Sequence, residues 1–281
     1  MIGSARSSFR AQPRETRLRL EDARFPQTGG LSASESDDTI PSVMTRKHLH
    51  RLTLLAALAL FATTSAGPAA AHVAGKAHAV KATQTLAALQ STHAAFSRPD
   101  ATSARVGVVQ SVRPITGEQT VLPVLGAEGT WLHVRLPGRP NSHTGWINSQ
   151  ATVAQTTSWH LVVKTSTRRV IVYHHGRAVK SFLAVVGKPS TPTPHGQFFV
   201  EESIQLAAND VGAPFALALS ARSNVFQQFM GGPGQVALHG LDNVGGDLGS
   251  AESHGCVRLA DSSMRWLVYR VGPGVPVTIT N

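Results

Sequence analysis

Beyond residue 100 the chain is divided into short apolar runs, each bounded by glycine or proline. Trp131–Arg135 is typical, because its residues alternate at the two-residue period of a half-buried strand. Such short runs leave no room for the long apolar stripe of a helical bundle or a coiled coil. With 25 Gly and 16 Pro in 281 residues, the pattern predicts a mainly β, turn-rich protein.

The same pattern places individual strands and one helix. Asp261 is expected to cap a short helix near the C-terminus, which Gly272 and Pro273 would end. The first two strands beyond residue 158 should form a β-hairpin. The expected strands in this region are residues 160–164, 169–173, 178–186 and 275–280.

A short apolar stretch early in the chain has the composition of a secretory signal. Basic residues from Arg46 to Arg51 precede residues 52–62, an apolar run of eleven residues that is too short to span a bilayer. Helix breakers follow, and then the small-residue cleavage sequence Ala-Ala-Ala. Residues 44–71 are therefore predicted to be a signal peptide, with an uncleaved signal anchor as the alternative.

The position of the signal determines how the residues around it are divided. A secretory signal normally stands at the start of a chain, whereas residues 1–43 would precede this one. We therefore expect residues 1–43 to be a mis-assigned or disordered extension, with translation starting at Met44. Residues 72–100 are rich in Ala, Thr and His and predict a linker that contains one short helix over residues 85–90.

The charge of the chain separates two classes of partner. The formal net charge is +10, from 26 Lys and Arg against 16 Asp and Glu. No basic helix, zinc-finger spacing or basic–aromatic pattern accompanies it, which argues against nucleic acid. Attraction to a polyanionic surface such as a cell wall is the better explanation. Membrane contact is expected only through the signal or anchor segment.

The chain has a single cysteine, Cys256, in the heptapeptide SHGCVRL. No intrachain disulfide can form, and a lone thiol in an exported protein is a candidate nucleophile. A reactive thiol needs a base or a positive field, which His239, His254 and Arg258 could supply. Gly255 lacks a Cβ, so backbone N–H groups can approach a developing oxyanion. These residues predict a Cys–His acyl-transfer site, with His239 or His254 as the base.

A zinc site is the metal alternative to that chemistry. His239, His254, Cys256 and Asp247 could supply nitrogen, sulfur and oxygen ligands. Neither Cys-x-x-Cys nor His-Glu-x-x-His spacing is present, so no metal is expected. The glycine-rich segment 231–234 lacks the Lys-Ser/Thr of a phosphate-binding loop and predicts a turn, as part of an active-site flap.

Two motifs resemble the catalytic domain of the YkuD-type L,D-transpeptidases. The first is SHGCVRL with His239 and Gly240 upstream, and the second is Gly187-Lys188 followed by TPHGQF. The resemblance spans residues 159–281 and implies a YkuD-like β-sandwich or barrel with a short C-terminal helix. Residues 101–150, through WLHVR and GWI, resemble a bacterial SH3-like module. An unrelated small β subdomain is the alternative for that segment.

The resemblance also implies a chemistry. The family cuts peptidoglycan stem peptides after the third residue, releases D-alanine and holds the donor as a thioester. An amine of a second stem peptide then forms a 3→3 cross-link. By position Cys256 is the nucleophile and His239 the general base, oriented by a backbone carbonyl near it such as that of Gly240. Residues of the oxyanion pocket and substrate site would be Ser253, His254, Gly255, Arg258 and Gly240.

The partners and location follow from the same resemblance. The implied partners are peptidoglycan stem peptides, as donor and as acceptor, and carbapenem β-lactams, which would acylate the thiol. No cofactor is implied. The implied location is the cell wall, at the outer face of a bacterial envelope. We expect a monomer. Two alternatives stay open: an L,D-carboxypeptidase, in which water resolves the thioester, and a wall-binding protein without catalysis.

Overall fold

A computed structural model describes residues 79–229 and 231–281. The predicted extension over 1–43, the signal peptide over 44–71 and the start of the linker lie outside the described residues. Within the described ranges no helix is long and apolar enough to cross a membrane. The architecture is mainly β with one short helix near the C-terminus, as the sequence predicts.

The first seven strands form one antiparallel sheet, in the order β3-β2-β6-β5-β4-β1-β7. Leu89, Leu122 and Ile147 are buried in its core, together with Phe199 from the second sheet. The strands are β1 Gln84–Leu89, β2 His93–Phe96, β3 Arg105–Val109, β4 Val121–Glu128, β5 Trp131–Arg135, β6 Thr144–Asn148 and β7 Thr152–Thr157.

This sheet differs from the sequence-based expectation at its N-terminal end. The prediction of a linker up to residue 100 with a helix over 85–90 was wrong for β1 and β2, which are strands. Strand β1 pairs with both β4 and β7, and its last four residues are buried. Alanine-rich composition favours helix locally, but pairing on both edges of β1 overrides that preference.

The remaining strands form a nine-stranded sheet, in the order β14-β10-β15-β13-β12-β11-β16-β8-β9. The predicted hairpin is present, since β8 and β9 pair antiparallel. The last strand, β16, pairs parallel with β8. The strands are β8 Trp159–Lys164, β9 Arg169–His174, β10 Arg177–Gly187, β11 Gly196–Gln205, β12 Phe215–Arg222, β13 Gln235–His239, β14 Ala251–Ser253, β15 Val257–Leu259 and β16 Pro276–Thr280.

Helix α1, Asp261–Val268, packs Met264 and Leu267 into the core of the second sheet. The prediction that Asp261 caps it was wrong, because the N-cap residue is Ala260 and no side chain caps the helix. The Asp261 carboxylate instead accepts the N–H of Leu241 at 2.8 Å. It thereby fastens the segment that follows β13 to the helix.

A buried group of charges joins the two sheets. Glu201 and Glu202 on β11 are 1 % and 0 % exposed. Arg113, from the connection between β3 and β4, forms ion pairs with both. Arg222 at the end of β12 pairs with Glu201 at 3.1 Å, and the N–H of Thr116 donates to Glu202 at 2.9 Å. Buried carboxylates need such partners, so these contacts fasten one sheet to the other.

Candidate active site

Cys256 lies in a tight turn that leads from β14 into β15. The Ser253 hydroxyl donates to the carbonyl oxygen of Cys256 at 2.6 Å and accepts the N–H of Gly255 at 3.1 Å. Gly255 has φ +119°, a conformation that glycine adopts far more readily than other residues. One buried hydroxyl therefore fixes the backbone on both sides of the thiol.

The second motif of the sequence supports this turn from the N-terminal side. Lys188 N–H and the Thr191 hydroxyl both donate to the Ser253 carbonyl, at 3.0 and 3.1 Å. Gly187 N–H donates to the Thr193 hydroxyl at 2.9 Å. A Cβ at Gly187 would collide with the backbone of Thr191 and Thr193. The glycine therefore permits the close packing that holds Ser253 in place.

His239 ends β13, and its ring is held from two sides. Its Nδ1 lies 2.8 Å from the carbonyl oxygen of Gly240, so Nδ1 carries the hydrogen and Nε2 is left to accept one. Gly212 packs directly on the ring, because a Cβ there would collide with the imidazole. Gly240 N–H donates to the Gly212 carbonyl at 2.8 Å, which fixes that approach.

The strand register brings Cys256 and His239 to the same region of the sheet. Strands β13 and β15 are parallel neighbours, with Leu238 opposite Val257 and His239 opposite Arg258. Cys256 directly precedes β15, so it lies on the adjoining strand two residues from His239 in register. Neighbouring strands are about 4.8 Å apart, so the thiol and the base lie on adjoining segments of the sheet, offset by two residues along the strands.

Burial determines the protonation of both groups. It raises the pKa of the Cys256 thiol, while the backbone of Ala237 and the charge of Arg258 oppose that rise. Burial lowers the pKa of His239. The charge of Arg258 lowers that pKa further, whereas the hydrogen bond to the Gly240 carbonyl raises it. At neutral pH the thiol therefore holds its proton and the imidazole is free to take one. A protonated thiol and a neutral imidazole fit general-base activation better than a preformed thiolate–imidazolium pair.

Arg258 lies on β15 opposite His239 in register, two residues after Cys256, and is 9 % exposed. Its Nη1 donates to the Gly245 carbonyl at 3.2 Å, whereas its Nε is buried without a hydrogen-bond partner among the described residues. The arginine thus contributes a positive field beside Cys256 and holds the loop that precedes β14.

Three of the residues predicted for the oxyanion pocket and substrate site make structural contacts within the protein. Ser253 is 0 % exposed and its hydroxyl is used within the turn. The N–H of Gly255 is donated to Ser253, so in this conformation it does not face a substrate oxygen. Gly240 supplies the carbonyl that orients His239.

A small pocket opens beside Cys256, and His254 rather than His239 is among its lining residues. Phe226 and Phe229 form its aromatic side, with ring centroids 5.3 Å apart. The Phe229 and His254 rings stack at 6.1 Å. The sequence analysis missed both phenylalanines, although their three-residue spacing just before the glycine-rich turn was a usable signal.

No metal-binding cluster occurs in the described ranges: no group of three or more His, Cys, Asp or Glu is placed to hold an ion there. The residues of the zinc alternative, His239, His254, Cys256 and Asp247, are therefore not gathered as a ligand set.

The second sheet also carries the similarity to known proteins. The family model of the YkuD L,D-transpeptidase catalytic domain matches residues 158–279. A YkuD protein of Bacillus licheniformis is 30 % identical over 125 residues, which cover 44 % of this chain and 67 % of that relative.

Two solved structures of the Enterococcus faecium L,D-transpeptidase are also similar to this chain. A crystal structure of a mutant is 21 % identical in sequence and gives a TM-score of 0.34. The match covers 43 % of this chain and 49 % of the mutant chain. An NMR structure of the catalytic domain acylated by ertapenem is 22 % identical, covers 43 % of this chain and 96 % of that one, and gives a TM-score of 0.34.

Proposed function

Since the chain belongs to the YkuD family of L,D-transpeptidases, we propose that it is an exported cysteine acyltransferase that forms 3→3 cross-links between peptidoglycan stem peptides. The observation that carries the proposal is the position of the chain's single thiol and of a partly buried imidazole on neighbouring strands, with the Nδ1 hydrogen of the imidazole fixed by Gly240. A thiol of raised pKa needs a base at the moment of attack, and His239 Nε2 is the acceptor left for that proton.

In the first step the Cys256 sulfur attacks the carbonyl carbon of the donor's third residue, and His239 Nε2 takes the thiol proton. Backbone N–H groups of the turn donate to the developing oxyanion, except that of Gly255, which is already donated to Ser253. The intermediate collapses, the bond to D-alanine breaks, and His239 gives its proton to the leaving amine. The donor is then held as a thioester on Cys256.

In the second step an amine of the acceptor stem peptide attacks the thioester. His239 takes a proton from that amine, the carbon–sulfur bond breaks, and the proton returns to the sulfur. The free thiol and a new amide are the products. Dividing one amide exchange into two acyl transfers lowers the barrier of each step.

The apolar lining of the pocket supports the proposal of an amine acceptor instead of water. The rings of Phe226 and Phe229 form an apolar side next to Cys256, which limits hydration of the thioester. Carbapenems present a strained carbonyl to the same sulfur, so they should acylate Cys256. Residues 72–281 hold 17 Lys and Arg against 10 Asp and Glu, a net charge of +7 that suits an anionic wall. One chain supplies both reacting side chains, which is consistent with a monomer at the outer face of the envelope.

The proposal is tested by incubating the purified protein and its Cys256→Ala variant with muropeptides that carry tetrapeptide stems, with mass spectrometry as the readout. A cross-linked dimer that has lost one D-alanine, formed by the wild type alone, supports it. Tripeptide without dimer identifies a carboxypeptidase and overturns cross-linking. Binding to purified wall without any product from either protein identifies a wall-binding protein and overturns catalysis.

A further inference from the structure

Arg139 belongs to the first sheet but binds a loop of the catalytic sheet. It lies in the docking loop, residues 138–142, which connects β5 to β6. Its Nη2 donates to the carbonyls of Ser223 and Phe226 at 2.8 and 2.9 Å, and its Nη1 donates to that of Pro233 at 2.9 Å. All three acceptors belong to the pocket loop, residues 223–229 and 231–234, which follows β12 and leads into β13.

The pocket loop closes around this guanidinium. Ser223 N–H donates to the Gly234 carbonyl at 2.7 Å, which joins the two ends of the loop. Gly234 has φ +67°, and a Cβ there would collide with the Phe226 carbonyl and lie 3.3 Å from Arg139 Nη2. Three carbonyl dipoles therefore converge on one cation, whose planar fork of donors can serve all of them.

The docking loop is itself seated firmly on the catalytic sheet. The Asn141 side chain accepts the N–H of Arg222 at 2.8 Å and donates to its carbonyl at 2.7 Å. The Ser142 hydroxyl accepts the N–H of Gln197 at 2.9 Å. These contacts fix the backbone from which Arg139 extends, so the guanidinium reaches the loop from a rigid base.

The pocket loop carries both phenylalanines that line the pocket of Cys256. We propose that Arg139 is a positioning residue for acyl transfer, holding the aromatic side of the pocket beside Cys256 through the backbone of the pocket loop. The first sheet is then part of the active site and not a spacer. The expected effect on acyl transfer rests on the proposed function, whereas the effect on the loop and the thiol does not.

The thiol itself supplies a readout that needs no substrate. Cys256 is the only cysteine, so alkylation by iodoacetamide reports on this one site. In Arg139→Ala the three carbonyls lose their donor, and the pocket loop should open. We expect alkylation of the native protein to accelerate about threefold or more, and amide hydrogen exchange to rise in the pocket loop and not elsewhere.

The substrate assay should move in the opposite direction. With tetrapeptide muropeptides, kcat of Arg139→Ala should fall about tenfold, because a misplaced wall no longer orients the donor. KM should change less. Arg139→Lys keeps the charge without the fork and should lie between the two proteins in all three measurements.

The matched control is Arg98→Ala, which removes an exposed arginine of the first sheet whose side chain forms no hydrogen bond to any described residue. It should behave as the wild type. Unchanged alkylation and unchanged exchange in the pocket loop of Arg139→Ala would overturn the inference. If that variant does not fold, the same comparison with Arg139→Lys decides. Accelerated alkylation with no product from any protein would support the loop contact and contradict the proposed function instead.

Discussion

The Nδ1 atom of His239 lies 2.8 Å from the carbonyl oxygen of Gly240, the next residue in the chain. A carbonyl can only accept, so this contact fixes the tautomer that leaves Nε2 free to accept a proton. The base is thus oriented by backbone, without a carboxylate. The pH dependence of the enzyme should reflect that arrangement.

We predict that the acid limb of kcat/KM lies below pH 6.5, the ordinary pKa of a histidine. Burial lowers the pKa of His239, so its imidazole stays neutral and active to a lower pH than an exposed ring would. A pH–rate profile measured with tetrapeptide muropeptides tests this. An acid limb centred at or above pH 6.5 would contradict it.

Gly212→Ala should reduce acylation of Cys256 by about tenfold or more, because the new Cβ collides with the His239 imidazole. Gly129→Ala is the control, since Gly129 also has positive φ (+54°) but faces open space in the β4–β5 turn. Carbapenem acylation followed by intact mass compares the two variants. Equal rates would show that the ring does not depend on Gly212.

Arg113→Ala should lower the free energy of unfolding by about 3–5 kcal/mol, because Glu202 loses its ion pair while it stays buried, and Glu201 keeps only Arg222 as a positive partner. Urea denaturation measures the change, with Arg98→Ala as the surface control expected within about 0.5 kcal/mol of the wild type. A loss for Arg113→Ala as small as that of the control would mean that the charge group does not hold the sheets together.

Stability should fall in acid through His160, whose pKa burial lowers to about 4. Its contribution is complete above the ordinary pKa of 6.5 and is lost as the pH falls toward 4, about 3 kcal/mol in all. His160→Gln should flatten the stability between pH 7 and 4. His160 Nε2 lies 2.8 Å from the Thr278 hydroxyl. His195→Gln is the control, because its Nε2 lies at the same distance from the Thr165 hydroxyl but the residue is exposed. A slope unchanged by His160→Gln would contradict the assignment.

Local patterns in the sequence predicted much of the catalytic half of the fold. The β8–β9 hairpin and the start of α1 within one residue arise from short-range signals, such as the alternation of apolar and polar residues, whereas the helix ends at Val268, before the predicted stop at Gly272. The roles of His239 and Cys256 were predicted from the resemblance of their motifs to the YkuD-type domain, and in the structure the two residues end and precede neighbouring strands.

The remaining features depend on contacts between distant residues. Strand β1 is a strand only because β4 and β7 pair with it. Asp261 serves Leu241, twenty residues away, and not its own helix. Arg139 meets carbonyls 84 to 94 residues further along the chain, and no local pattern marks such a contact.

The central claim is that Cys256 carries the acyl group. The most direct measurement is peptide mapping by mass spectrometry of the protein quenched in acid during turnover of a tetrapeptide muropeptide. We predict an adduct equal to the donor without its D-alanine, on the peptide that contains Cys256, released by hydroxylamine and absent from Cys256→Ala. An adduct on another residue, or cross-linked product formed by Cys256→Ala, would contradict the account.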